Sequence, residues 1–527
     1  MAKRGYKSIS LEDFTGGLNY RADQFGMKAN ESPDLLNVDV DPKGGVRQRN
    51  GVDAWHADQV GANVTGLWGF HTASGTNQLM VSHGDNVSHS TGGTYTSLLG
   101  GGGQPAVNTV TTRSRGVTLN NVSYAQNGTD QPLKWDGSSA SRLTQSFNNS
   151  LVVTGGNMPI ATHIAVWNNH LWVADTTESS TRHYNRLRWS HVNEGEDWHA
   201  DHYVDIAIGE DGDRITALVP FGDRLLIFKH RSIHALVGYD TDSFQLHQIS
   251  NSVGCELDSS PVATPTSVYF WFSNEGVYRY RSDGLSYVFE NIAPAIDDGR
   301  IDLTEAPHLA YSNRRVYCSV GWSDPDERRV FVYDESLNKK GSWVLHSIPA
   351  GVMYTYHASS ATEVLVAAYG QRVLKLEQDT QNFDQLDGAT NTHISSHFTT
   401  SWVSAKTPMV KKRWGRARTV VLADSTIELP VKVYRDYDFA DVYRDFTVSI
   451  TGRSSTSLWG TATWQDSDGT TGDGVWASLA ESSATDFGKH PNLGTAMAVS
   501  VKVEGPTTNN TWELNALGLS FRPRSTR

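Results

Sequence analysis

Cysteine is nearly absent from this 527-residue chain, which carries only Cys255 and Cys318. Two thiols cannot hold a secreted disulfide scaffold together, so both read as reduced core residues. No apolar run reaches ~18 residues, which leaves no segment able to cross a membrane as a helix. No stretch of ten or more residues shows a convincing helical period, which argues against helical bundles and α/β folds. Positive charge is also scarce: 45 Lys and Arg stand against 57 Asp and Glu, a net charge of −12. Such a chain is a poor clamp for a phosphate backbone, although it can border DNA without gripping it. The start "MAKRGYKSISLEDF" has basic residues with no apolar segment behind them. No Sec leader is therefore expected, and synthesis in the cytoplasm is.

The signatures of common catalytic sites are missing as well. There is no HExxH, no Cys/His cluster, no G-x-S-x-G and no Walker A lysine behind a glycine loop. The "GGGG" at 100–103 has neither a following Lys nor a helix to cradle phosphate, and reads as linker. No catalytic residue, cofactor or metal is expected.

Large rings and turn formers are abundant, with 16 Trp, 20 Tyr, 17 Phe and 47 Gly. They suit sheet faces and tight turns. The stretch "HIAVWNNHLWVAD", His163 to Asp175, alternates on both sides of Asn168 and Asn169. It predicts a β-hairpin with a two-residue turn. Similar hairpins are expected with turns near Gly75, at Asn120–Asn121, at Gly222–Asp223, near Thr266, at Asn313–Arg314 and near Ser360. They recur roughly every 45–50 residues, the spacing of propeller blades. Each is followed by a second half, such as "QPLKWDGSSAS", "NRLRWSHVNEGEDW" or "GVYRYRSDGLSY": a strand, a polar turn and a shorter strand.

The expectation is an all-β protein, with a β-propeller of about seven four-stranded blades over residues 61–394. Two or three unrelated β-sandwiches are the alternative. Residues 1–60 read as an irregular docking segment. Residues 395–527 have a different rhythm and are expected to form a C-terminal antiparallel β-sandwich with a long loop near 452–490. A second flexible excursion is expected over 97–116.

Few polar features stand out. "WSHVNEGEDW" contains Asn193-x-Gly195-x-x-Trp198, which partly resembles the Asp-box turn of sialidase-type propellers, a structural turn. Acid pairs such as Asp297–Asp298, and the Glu210, Asp211 and Asp213 run in "GEDGD", have loop-like surroundings, and the latter does not match an EF-hand. Nineteen His are scattered, among them His83, His89, His163 and His170 beside turns. "MVKKRWGRAR" at 409–418 is the one strong basic run. It reads as a solvated strand start whose stems cover aromatic surface, or as a partner contact.

Three features together resemble a known family. They are the N-terminal "FTGGLNYRADQFGMKANESPDLLNVDVDPKGGVRQRNG", the middle "NGTDQPLKWDG", "RLRWSHVNEGEDW" and "SNEGVYRYRSDG", and the late "FTTSWVSAKTPMVKKRWGRARTVVL". The pattern resembles the tail nozzle proteins of short-tailed bacteriophages, also called tail tubular protein B or phage stabilisation protein. The resemblance implies a virion component of the tail, a β-propeller protein assembled as a hexameric ring below the portal adaptor (gatekeeper). It implies an end of the DNA conduit that retains the genome and takes part in ejection, with transient passage of viral DNA. Partners would be copies of itself, the adaptor, and tail fibres or spikes. The family has no catalytic residues to carry over. A receptor- or glycan-binding propeller adhesin of a tail tip is the alternative, and a glycosidase or lyase propeller a third class.

Overall fold

The computed structural model describes residues 6–149, 155–207, 213–256, 260–323, 328–337, 341–358, 362–379, 381–423, 425–450 and 493–523. Nearly everything regular in it is strand. The described residues hold a single α-helical turn, Pro294–Asp297.

The chain folds as a seven-bladed β-propeller, beginning with the strands Val64–His71, Asn77–His83, Asn86–Ser90 and Thr96–Ser97, paired in sequence order. Six further antiparallel sheets make up the rest of the ring, and the sixth blade carries one extra short strand, Ile301–Asp302. The innermost strands form a closed ring. Val64–His71 packs on Arg115–Leu119, then come Ile160–Trp167, Ile215–Phe221, Val262–Ala263, His308–Ser312 and Met353–His357, which returns to Val64–His71.

The turns explain why the repeat was visible. Asn120–Asn121, Asn168–Asn169 and Asn313–Arg314 all have positive φ at both central positions. That geometry joins strands with the right-handed twist of a sheet, and Asn tolerates it. In the founding hairpin Trp167 faces His170 and Ala165 faces Trp172. The turn foreseen near Ser360 lies outside the described residues.

Apolar clusters sit between blades rather than at one centre. Trp167, Trp172 and Leu187 of the third blade meet Ile215, Leu225 and Ile227 of the fourth. Leu67, Leu79 and Val81 of the first meet Val366 and Val373 of the seventh. Wedges of this kind leave each blade stable only against its neighbours.

Two departures from the sequence reading concern residues 1–60. The seventh blade does not supply its own fourth strand. Gly51–Ala54 takes that place beside Arg372–Gln378, so the ring is closed by a strand from near the start of the chain. The segment expected to be irregular is otherwise a series of short strands. Lys7–Leu11 pairs with Trp512–Pro523, Asp34–Leu36 with His397–Thr399, and Val46–Gln48 with Trp512–Pro523. Strands of two to five residues bury too few side chains to show an alternation, and are held by the partners they meet.

The C-terminal strands build two sheets with this N-terminal help. One contains Lys412–Ala423 and Trp512–Pro523; the other contains Ile427–Arg435, Arg444–Ile450 and Val499–Glu504. Neither is made of residues 395–527 alone. Their apolar faces share one cluster, and it runs on into blades five to seven: Trp271, Phe331, Trp343 and Leu374 belong with Trp414, Val431, Trp512 and Leu514. The long loop expected at 452–490 lies outside the described residues.

Candidate functional site

Asn37 organises the junction between the N-terminal segment and the propeller. At a φ of 54°, its N–H donates to Leu345 O at 2.8 Å. Its side-chain oxygen accepts from Ser347 N at 2.8 Å and Arg49 Nε at 2.9 Å. Arg49 continues as a fork onto Asp384, at 2.8 and 2.5 Å. Nearby, Asp39 lies 3.1 Å from Arg315 Nη1 and 3.2 Å from His346 Nε2; Asp39 and His346 are fully buried and Arg315 partly so. Burial alone would raise the Asp39 carboxyl, but Arg315 and His346 hold it well below the usual carboxylate range. The carboxyl of Glu377, in contrast, is pushed up by desolvation and by Asp39. The network fixes the N-terminal segment to the propeller, and the cavity lined by Asp39 and Arg315 is only about 10 Å³.

The propeller axis is different. A cavity of about 470 Å³ opens where the inner strands begin, and residues from six blades line it. Arg113 and Arg115 come from the approach to the second blade, Arg182 from the third and Arg214 from the approach to the fourth. Arg182 forks onto Asp175 at 2.8 and 2.6 Å, and Thr162 Oγ1 donates to the same carboxylate at 2.9 Å. Arg113 Nη1 lies 3.5 Å from Nδ1 of His308, which is also 3.2 Å from Ser260 Oγ. Gly128, at a φ of +81°, brings a turn so close that a Cβ would stand 2.9 Å from Thr162 Oγ1. Two buried imidazoles register the field. Burial, then Arg115, Arg113 and Arg214, push His163 well below its ordinary value; burial, then Arg113, Arg328 and Arg115, do the same to His308.

A wider groove of about 640 Å³ lies at the turns of the fifth and sixth blades, lined by Thr266, Arg281, Tyr311, Arg314 and Glu335. Glu335 accepts there from Tyr269 Oη at 2.8 Å and from Arg281 Nη2 at 2.5 Å.

A third feature lies on the two-sheet body. Phe25 is 54% exposed, Phe439 42% and Met409 74%. The two Phe rings flank Tyr437 and Trp402: Phe25 is 4.6 Å from the Tyr437 ring, Trp402 is 5.3 Å from Tyr437 and 4.6 Å from Phe439. Tyr437 Oη donates at 3.4 Å to the carbonyl of Pro408, the chain neighbour of the exposed Met409.

The sequence features fall as follows. Asn193 is a turn residue at a φ of 61°. Trp198 is fully buried and its Nε1 donates to Gly195 O at 2.9 Å, so the degenerate box is a structural turn. Asp297 closes the helical turn and Asp298 pairs with Arg300 at 2.8 Å. Asp213 accepts from Ser232 Oγ and Arg231 N, both at 2.8 Å; Glu210 and Asp211 lie outside the described residues. His83 bonds Ser88, His170 bonds Ser190 O, and His89 stacks on Trp135. In the basic run, Lys412 is buried and donates to three carbonyls, of Thr407, Val410 and Met497, while Trp414 is fully buried between the exposed Arg413 and Arg416. Cys255 and Cys318 are buried and unbridged. Among the described residues no group of three or more His, Cys, Asp or Glu is placed to hold a metal ion, and no helix is long and apolar enough to cross a membrane. The axial arginines escaped sequence reading because they come from three different repeats. The signal was the position of Arg113, Arg115 and Arg214, just before or at the start of an inner strand; Arg182 instead stands at the start of the third strand of its blade.

No family model and no curated protein matches this chain. Solved structures do. The extracellular domain of BT4673 from B. thetaiotaomicron is 11% identical, with a TM-score of 0.37, over 62% of this chain and 40% of that one. YCF48 bound to D1 peptide is 12% identical, with a TM-score of 0.38, over 66% of this chain and 100% of that one. The Pan2 WD40 domain of Neurospora crassa is 10% identical, with a TM-score of 0.35, over 63% of this chain and 96% of that one. The chain spans less than half the length of the BT4673 domain. The protein is an all-β propeller protein, and that statement stands on its closed ring of inner strands.

Proposed function

We propose that this chain is a structural subunit of a short-tailed bacteriophage tail, a nozzle-like ring component below the portal adaptor. In that role it forms the end of the DNA conduit, holds the genome in and takes part in ejection. The observation that carries an assembly role is the exposed patch of Phe25, Met409 and Phe439 around Trp402 and Tyr437. Exposed rings and a Met gathered at one place are the composition of a protein interface, and we assign the patch to the contact between neighbouring copies in the ring. The core shared by the propeller and the two-sheet body supports the same reading, because a load-bearing subunit must not hinge. A net charge of −12 suits a wall past which DNA slides.

Negative-stain electron microscopy of the full chain, alone and with a portal–adaptor complex, tests this reading. A ring or tapered tube coaxial with the portal, lost on Phe439→Glu, is the expected result. A chain that stays monomeric and ignores the portal overturns it. The groove at Glu335 and Tyr311 supports a second reading, a glycan- or receptor-binding propeller of a tail tip. Retention on host polysaccharide without portal binding would favour that one.

A further inference from the structure

The outer rim of the fourth blade does not enter the assembly reading. Its last strand, Gln245–Ser250, pairs on one side with Ile233–Val237, and no described strand lies on its other side. One row of backbone N–H and C=O groups therefore faces outward. The other blades blunt this edge. Thr96–Ser97, Ala140–Arg142, Tyr203–Asp205 and Gly284–Tyr287 have two to four residues, while Ser342–His346 and Gly51–Ala54 are largely buried. Gln245–Ser250 has six residues, of which Gln245, Leu246, His247 and Gln248 are all exposed. Successive side chains point to opposite faces, so neither face of this strand is covered. It carries no Lys, Asp, Glu or Pro, the residues that keep edges apart. The register irregularity in its ladder falls only at its far end, beside Ile233 and His234. A long open edge without those guards is a template for another strand.

The charges at its two ends select the occupant. At the start of the strand, the turn that leads into it exposes Asp240 and Asp242. At its other end stands the exposed Arg231, two residues before Ile233, which faces Ser250. The other charges near Arg231 are matched: Lys229 lies 3.5 Å from Asp213, and His230 lies 3.8 Å from Glu256. The strand itself is neutral, so a second copy of it would meet no like charge along its length. Laid antiparallel, that copy would bring its acidic end to Arg231, and its own Arg231 to Asp240 and Asp242.

We propose that this edge pairs two copies of the chain, Gln245–Ser250 antiparallel to its counterpart, joining two fourth blades into one continuous sheet. A two-fold contact cannot repeat around a ring, so it is separate from the contact assigned to the Phe25 and Phe439 patch, and either can fail alone. Sedimentation of the full chain carrying Phe439→Glu, which removes the proposed ring contact, tests it. A monomer–dimer equilibrium is expected, with amide hydrogen exchange at residues 245–250 slowed in the dimer. Leu246→Lys should weaken the pair about tenfold or more. Arg231→Asp or Asp242→Arg alone should weaken it about fivefold, and the two together should restore it. Should Leu246→Lys not fold, as judged by melting, Gln248→Lys is measured in its place. A chain that stays monomeric, a dimer unmoved by Leu246→Lys, or a double exchange that fails to restore the pair overturns the proposal.

Discussion

Asp39 and Arg315 are 3.1 Å apart in the protein interior, one from the N-terminal segment and the other from the sixth blade. His346 closes on the same carboxylate from the strand Ser342–His346. Truncating one partner of a buried pair leaves the other charge without compensation, which typically costs about 3–5 kcal/mol. Asp39→Ala should therefore lower stability by about that amount in denaturant unfolding. A loss below about 1 kcal/mol would mean that solvent reaches the pair in solution.

Glu377 makes the opposite case. It has a φ of 56°, and its Oε1 is buried with no hydrogen-bond partner. Because its carboxyl is raised above the ordinary glutamate value, ionising it costs folding energy as pH rises. Glu377→Gln should melt higher than the parent at pH 8, and the gain should shrink as pH falls towards about 4.5 and be absent below it. A gain that does not depend on pH would refute this account.

Histidine should set the mildly acidic limit of stability. Burial, then His191, His199 and His170, lowers His202 to about 4. His163 and His308 are also lowered. Each takes up a proton more readily unfolded than folded, so stability is full above pH ~6.5 and is lost as pH falls towards 4. Melting temperatures between pH 7.5 and 5 should decline, and His202→Asn should flatten part of that slope. A flat profile in the parent would count against these shifts.

Arg49 and Asp384 pin the strand that closes the ring. Lysine cannot reproduce a two-bond fork. Arg49→Lys should cost about 2–4 kcal/mol and expose residues near 50 to limited proteolysis before other sites are cut. Unchanged cleavage order would show that the strand is held by its ladder alone.

The degenerate box yields a steric test. A Cβ on Gly195 would stand 2.4 Å from the Tyr124 ring, across the boundary of the second and third blades. Gly195→Ala should cost about 1–3 kcal/mol in denaturant unfolding without loss of fold. A neutral substitution would show that the Tyr124 ring moves freely.

The propeller was legible because its turns obey local rules. Asn-Asn pairs fix type I′ geometry whatever surrounds them, and the alternation beside them fixes which face is buried. The closing strand was not, since "GVDA" has four residues and no period to find. "TTRSRG" reads as a linker by composition, yet it delivers Arg113 and Arg115 to the axis, where residues far apart in sequence meet. Clusters of that kind are set by the ring, and no window along the chain contains them.

The clasp at Arg49 also orders events in time. Its partner Asp384 lies 335 residues later in the chain. At about 5–20 residues per second, a ribosome delivers the second half of the clasp tens of seconds after the first. Throughout that interval the earliest strands must wait without their mates, and every blade is made before the circle can shut. Birth, for this protein, includes a long open stage, and whatever guards a nascent chain from its neighbours has its work there.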